Sequence, residues 1–331
     1  MLTLDSHWTW DFWTAQDGDQ YHLFFLKAPK SLGDPERRHE NARVGHAVST
    51  DLRSWEVLPD ALGPGPAGAW DDLATWTGSV LRADGRWWMF YTGINARERG
   101  AHQRIGLAVS DDLSTWTKEE QPVLVLDVTH YEGGVEGWPF VDWRDPWVYW
   151  STAHGEYRML FTARAPGGAV DERGVIGQAR SQDLLIWQAL EPAVAPREFA
   201  HLEVPQLFEA EGRWYLSYSV YAHAHSASRR EMTPAETGTH YFVADAEAGP
   251  YVSPGDSFFC GDPVGELYAG RFERDPDGAL VFLAFLQASG GETFLGGLSD
   301  PMPVRVEPDG RLVLEREPSR LVTVAGSGGS R

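Results

Sequence analysis

Three acidic residues stand where acids are out of place. Asp11 interrupts the segment TWDFW (residues 9–13), between Trp10 and Phe12. Asp145 lies in WRDPW (143–147), beside Arg144 and between two tryptophans. Glu203 is the lone charge of LEVPQLF (202–208). A carboxylate in apolar surroundings is costly unless it is paired or functional. Taken singly, each acid could be a turn residue or a salt-bridge member, as Asp145 could be beside Arg144. Brought together, the three suit cleavage of a glycosidic bond, which needs a carboxylate on either side of the bond and a further charged group to hold the sugar.

Something must bring them together, and a repeat in the chain supplies it. Residues 45–55 read GHAVSTDLRSW, 106–116 read GLAVSDDLSTW and 177–187 read GQARSQDLLIW. All three fit G-x-A-x-S-x-D-L-x-x-W, at intervals of 61 and 71 residues. A short aromatic or aliphatic run precedes each copy: YHLFFL (21–26), WWMFYT (87–92) and YRMLFT (157–162). Two more runs follow, WYLSYS (214–219) and LVFLAFL (280–286). Such runs, bounded by Gly, Asp or charge, read as buried strands. Gly, Ala and Ser alternate at period 2, which puts small residues on one strand face. Ser and Asp of the S-x-D-L element are suited to bonding nearby backbone amides in a turn, and the closing Trp is expected to start the next strand and pack on the blade.

Five similar β-units cannot each bury two faces alone, so they must stack. Radial stacking predicts an all-β fold, a single five-bladed β-propeller over residues 1–324 with a Gly/Ser-rich tail at 325–331. The turn motif is degraded in the fourth unit (240–245, HYFVAD) and barely visible in the fifth (298–300). A propeller places chemistry at one end of its axis. The segments just before the aromatic strands reach that end, and Asp11, Asp145 and Glu203 all lie in such segments. WTGS (76–79) and GELYAGRF (265–272) hold the same place in units two and five.

Here the residues resemble a known group. The stretch from Trp10 is similar to the W-D-x-W region of levansucrases, glycoside hydrolase family 68. Arg144-Asp145-Pro146 matches the R-D-P motif shared with family 32, the invertases and fructanases. Glu203-Val204-Pro205 is similar to the E-C-P motif of family 32, WTGS resembles its F-S-G-S motif, and the turn repeat is itself similar to that family. The likeness runs from about Trp10 to Phe272 and does not include the C-terminal β-sandwich usual in family 32. It implies a retaining β-fructofuranosidase, with hydrolysis or fructosyl transfer. Asp11 would be the nucleophile, Glu203 the acid and base, and Asp145 the transition-state stabiliser beside Arg144. Glu203, between Leu202 and Val204, is expected to have a raised pKa if buried. Trp10, Trp13, Trp76, Ser79, Gln206, Tyr268 and Arg271 are the further candidates for the sugar site. A second reading is an enzyme of the same clan on another furanoside, an arabinofuranoside or galactofuranoside, like the related family 43, which inverts configuration and acts on arabinofuranosides or xylosides, and a non-catalytic glycan-binding propeller is a third.

Composition narrows the partners. The formal net charge of −20 argues against attraction to nucleic acid or an anionic membrane. One cysteine, Cys260, permits neither an intrachain disulfide nor a cysteine zinc site. No apolar run approaches a membrane span and the N-terminus lacks signal-peptide character, so a cytoplasmic location is expected. His223 and His225 are two residues apart, but no third ligand follows a matching spacing. No acidic loop carries a calcium pattern. The expectation is a small carbohydrate substrate with no cofactor and no bound metal. Three long polar segments, 27–43, 128–140 and 222–239, are expected to rim the pocket.

Overall fold

A computed structural model describes residues 1–138, 140–287 and 294–315. It consists of five four-stranded antiparallel sheets, each with its strands in simple sequential order. These are the blades of a five-bladed β-propeller. The expected tail at 325–331 lies outside the described residues. Among the described residues, no helix is long and apolar enough to cross a membrane.

The inner strands are His7–Asp17, Ala74–Ala83, Arg144–Ser151, Glu203–Ala210 and Leu267–Arg274. The aromatic runs form the second strands, within Gln20–Pro29, Arg86–Ile94, Glu156–Arg164, Arg213–Val220 and Leu280–Leu286. They are apolar on both faces because each lies between neighbouring blades. The G-x-A-x-S segments are third strands, in Arg43–Ser49, Arg104–Ser110 and Gly174–Ser181. The degraded fourth copy lies in the third strand Thr237–Ala244. Residues 298–300 are not a turn of the same kind. Leu298 pairs with Phe285 of the second strand, and the Ser299 amide donates to the Ala284 carbonyl at 2.9 Å.

Each element of the repeat has a physical task. Gly45, Gly106 and Gly177 pair with Phe25, Tyr91 and Phe161 of the adjacent strand. A β-carbon on any of them would meet an aromatic ring atom at 2.5, 2.5 or 2.3 Å. For Gly45 and Gly177 that ring is the paired phenylalanine; for Gly106 the nearest is Trp70. In the turns, the carboxylates of Asp51, Asp112 and Asp183 each accept from two backbone amides at 2.7–3.0 Å. Leu52, Leu113 and Leu184 sit there with φ between 58 and 66°, in the left-handed region, and are buried. That conformation costs about 1–2 kcal/mol for a leucine, which burial of its side chain, worth about 1.5–3 kcal/mol, offsets. The closing tryptophan packs on the preceding blade. Trp116 meets Phe24 edge-on at 5.7 Å, and Trp187 meets Phe90 at 5.5 Å. Between the ends of the chain, Leu2 and Leu298 exchange backbone hydrogen bonds, and the Gly297 amide donates to Thr9 at 2.8 Å. These bonds close blade five onto blade one.

Gly177→Ala should lower stability by about 1–3 kcal/mol through overpacking against Phe161. Urea unfolding should show a lower midpoint with an unchanged slope. An unchanged midpoint would mean that the Phe161 ring can step aside.

Candidate active site

The inner strands are irregular at one end, and the site is built there. Pairing with the second strand slips between Trp10 and Phe12, between Trp76 and Gly78, between the partners of Arg144 and Trp147, between Glu203 and Gln206, and between Tyr268 and Arg271. Such bulges re-aim side chains. Three of the bulged residues, Asp145, Val204 and Ala269, have φ of 60, 54 and 49°. Left-handed backbone at non-glycine residues is held only where the surroundings over-determine it. The surroundings here are hydroxyls from the second strands of blades two and three and from the third strand of blade four. The Asp145 amide donates to Thr92 Oγ1 at 2.9 Å, and Thr162 Oγ1 lies 2.8 Å from Asp145 Oδ2 and 2.9 Å from the Leu202 carbonyl. The Gly270 amide donates to Thr239 Oγ1 at 3.1 Å.

These bulges bring Asp11, Asp145 and Glu203 to one cavity of about 790 Å³. That lies within the range of small-ligand sites. Thr77 donates to Asp11 Oδ2 at 2.5 Å. Asp145 Oδ2 also accepts from the Val204 amide at 3.1 Å. Arg144 is buried and binds in several directions. Its Nη2 donates to Glu203 Oε1 at 2.8 Å, its Nη1 to Gln103 Oε1 at 3.1 Å and to Asp142, and its Nε stands 3.6 Å from Asp145 Oδ2. Tyr268 donates to Glu203 Oε2 at 2.5 Å. His201 Nε2 is 3.6 Å from the same oxygen, and neither ring nitrogen of His201 has a hydrogen-bond partner among the described residues. Trp10, Trp76, Trp138, Tyr221 and Phe285 supply much of the apolar wall.

Asp11 and Glu203 are shifted in opposite directions. Asp11 is pushed up to about 7, first by desolvation and then by the neighbouring Asp145 carboxylate, against the Thr77 hydrogen bond. Its carboxyl faces the cavity, so water tempers this shift until a ligand excludes it. Asp145 is also raised by burial, with Arg144 pulling the other way. Burial pushes Glu203 upward too, yet its pKa lies below the ordinary glutamate value. His201 lowers it only when protonated, which its own burial opposes. The lasting causes are Arg144 and the Tyr268 hydroxyl. The expected rise at Glu203 is therefore corrected. Leu202 and Val204 are apolar neighbours in sequence, but the groups that touch the carboxylate are a guanidinium and a phenol.

The chain matches the model of the glycosyl hydrolases family 32 N-terminal domain over residues 14–294. The chain belongs to family 32. It is 29% identical over 197 residues to the beta-fructofuranosidase, insoluble isoenzyme CWINV4, of Arabidopsis thaliana, covering 57% of this chain and 29% of that protein. It is 27% identical over 306 residues to the levanase of Bacillus sp. (strain L7), covering 81% of this chain and 28% of that protein. The chain thus spans under a third of the length of these relatives. Among solved structures, the inulosucrase from Halalkalicoccus jeotgali bound to kestose superposes with a TM-score of 0.78 at 24% identity, over 94% of this chain and 87% of that one. That likeness shows the shared fold. Asp145 and Glu203 lie inside the span matched to family 32, whereas Asp11 precedes it and is tied to the site by geometry.

In this family 32 chain the sequence-derived candidates divide in two. Trp10, Trp76, Arg144 and Tyr268 line the cavity with the three acids. Trp13, Ser79, Gln206 and Arg271 do not. Trp13 is buried and stacks on Phe24 at 6.2 Å. Ser79 accepts from the Val148 amide at 3.1 Å. Gln206 laces blade four to blade five, donating to the Phe272 carbonyl at 2.7 Å and accepting from the Phe272 amide at 2.8 Å. Arg271 is fully buried and donates to the Pro205 carbonyl at 2.7 Å. Sequence reasoning passed over Thr77, Gln103, Asp142, His201 and Tyr221. Thr77 sat inside the quoted WTGS, Asp142 two residues before Arg144, and His201 two before Glu203. All three rim segments reach the cavity, through residues 36–40, through Trp138 and Phe140, and through His223. His225 turns elsewhere, bonding the Glu236 carbonyl at 2.8 Å. Among the described residues, no group of three or more His, Cys, Asp or Glu side chains could hold a metal ion.

Tyr268→Phe removes one of the groups that keep Glu203 ionised. The Glu203 pKa should rise in the variant, by about one unit. Carboxyl carbon NMR titration of the unliganded protein checks this, and an unmoved Glu203 signal would leave Arg144 as the sole holder of its charge.

Proposed function

We propose that this chain cleaves β-fructofuranosides with retention of configuration and passes the fructosyl group to water or to a sugar hydroxyl. The observation that carries this is the convergence of Asp11, Asp145 and Glu203, from blades one, three and four, on one cavity in a family 32 chain. The names of its relatives, a beta-fructofuranosidase and a levanase, support the substrate class.

In this reading an oxygen of Asp11 bonds to the anomeric carbon while the glycosidic C–O bond breaks. Glu203 gives its proton to the leaving oxygen. Water, or an acceptor hydroxyl, then attacks the anomeric carbon and releases Asp11, and Glu203 takes the attacker's proton. Asp145 accepts hydrogen bonds from the sugar and balances positive charge developing on the ring. In the free site the pKa of Asp11 is raised and that of Glu203 lowered, so substrate must shift both toward these roles. Sugar hydroxyls donating to Asp11 favour its ionised form. A leaving oxygen that displaces Tyr268 or Arg144 from Glu203 favours the protonated form there.

The free-state electrostatics favour one alternative, in which Asp11 is the acid and Glu203 the nucleophile. A slow fluorinated fructosyl donor separates the two, because peptide mapping finds the trapped sugar on Asp11 in the first reading and on Glu203 in the second. Incubation with sucrose, short fructans and nitrophenyl furanosides tests the substrate class, and NMR of the first-formed sugar reads its configuration. Asp11→Asn and Glu203→Gln should each lower kcat by about a thousandfold while the fold persists. Full turnover in either variant, or release of an inverted product, defeats the proposal.

A further inference from the structure

Arg271, a candidate for the sugar site in the sequence, does not line the acid cavity. Its side chain is fully buried. It donates to the carbonyls of Pro205 at 2.7 Å, and of Val204 and Phe12 at 3.4 Å each. Its guanidinium lies 5.2 Å from the centre of the Trp147 ring. One side chain from blade five therefore touches blades one, three and four. Val204 lines the acid cavity, and Trp147 lines a second cavity of about 430 Å³ bounded also by Thr14 and Glu273. Arg271 lines neither and stands between them.

Its charge has no salt-bridge partner among the described residues, and Nη2 has no hydrogen-bond partner there. Burying a guanidinium on carbonyls alone is expensive unless a counter-charge lies near. The acidic groups acting on it are Asp145, Asp11 and Glu273. We propose that Arg271 is a positioning residue for the acid cluster, a plug that closes the channel and sets a fixed cation beneath Asp11 and Asp145. Among the groups that act on Asp11, Asp145 and Glu203 repel its charge, Tyr221 and Tyr268 are neutral phenols, Thr77 donates to it, and Arg271 is the cation that lowers it. Burial pulls Arg271 down to about 10, so it remains charged at neutral pH. A cation there favours the ionised form of Asp11, the form that attacks carbon in the proposed mechanism, on which this inference rests.

The test compares Arg271→Gln, which keeps N–H donors for the carbonyls, with Arg271→Met and Arg271→Lys. Without the cation the Asp11 pKa rises. The acidic limb of kcat/KM on sucrose should move up by about one pH unit in the two neutral variants and stay near wild type with lysine. Neutral variants that lose kcat evenly at every pH, with an unmoved acidic limb, overturn the proposal. If neither neutral variant folds, the lysine variant decides. A folded lysine variant shows that the channel requires the charge, and one that also fails to fold reduces Arg271 to a cap on carbonyls. Carboxyl carbon NMR of Asp11 reads the same coupling without turnover. A chain inactive on every furanoside would thus sink the functional reading while leaving this one open to its own measurement.

Discussion

The Arg144 guanidinium is the constraint on which the site depends. It is buried, and it gathers Asp142 and Asp145 from its own blade, Glu203 from the next and the Gln103 amide from the one before. Arginine suits this because its fork of donors is planar, always charged and fixed in geometry. Desolvating such a network costs several kcal/mol per ion, and the Coulomb attraction repays that only with good geometry. The network is therefore weak evidence for stability and strong evidence for placement. Take the guanidinium away and Asp142, Asp145 and Glu203 would lose the one group that binds all three.

Placement also needs a backbone that can aim carboxylates at the axis. Regular strands alternate their side chains between two faces, and neither face of an inner strand looks along the channel. The bulges break that alternation. Asp145, Val204 and Ala269 take left-handed conformations that a flat sheet would not hold, and Thr92, Thr162 and Thr239 brace them with side-chain hydroxyls. Each threonine reaches from one blade to the next, and Thr162 also holds Asp145 of its own blade. The same contacts that align neighbouring blades thus fix the acids, which couples the integrity of the ring to the geometry of the site.

Much of this was legible in the sequence, and the limits have a physical origin. Aromatic second strands announced themselves by burial on both faces. The G-x-A-x-S-x-D-L-x-x-W copies were visible because a ring over each glycine, an amide clamp in each turn and an interblade tryptophan tolerate few substitutes. The acids stood out because charge is rare in apolar runs. Facing was not legible. In a regular strand Trp13 would share the side of Asp11, two residues away, but the bulge at Asp11 ends that count and Trp13 stacks on Phe24. Gln206 and Arg271 likewise follow bulges and point between blades. Charge state was hidden for a different reason. Glu203 has apolar neighbours in the chain, and its partners Arg144 and Tyr268 lie 59 and 65 residues away.

The charge balance on the axis explains why such costly burial suits the proposed chemistry. Asp142 is shared between the guanidinium groups of Arg144 and Arg164, the latter at 3.9 Å, while Arg144 and Arg271 act on Asp145. Asp11, Asp145 and Glu203 present their carboxyls, and so their field, to the cavity. A neutral sugar gains little from that field in its ground state. As the glycosidic bond lengthens, positive charge grows on the ring carbon and oxygen, and the same field then acts on a cation in a site from which water is largely excluded. An interaction that strengthens only as the transition state forms raises turnover without trapping the substrate. Arg144 holds the carboxylates in place, and in the proposed reaction their field is what the developing cation meets.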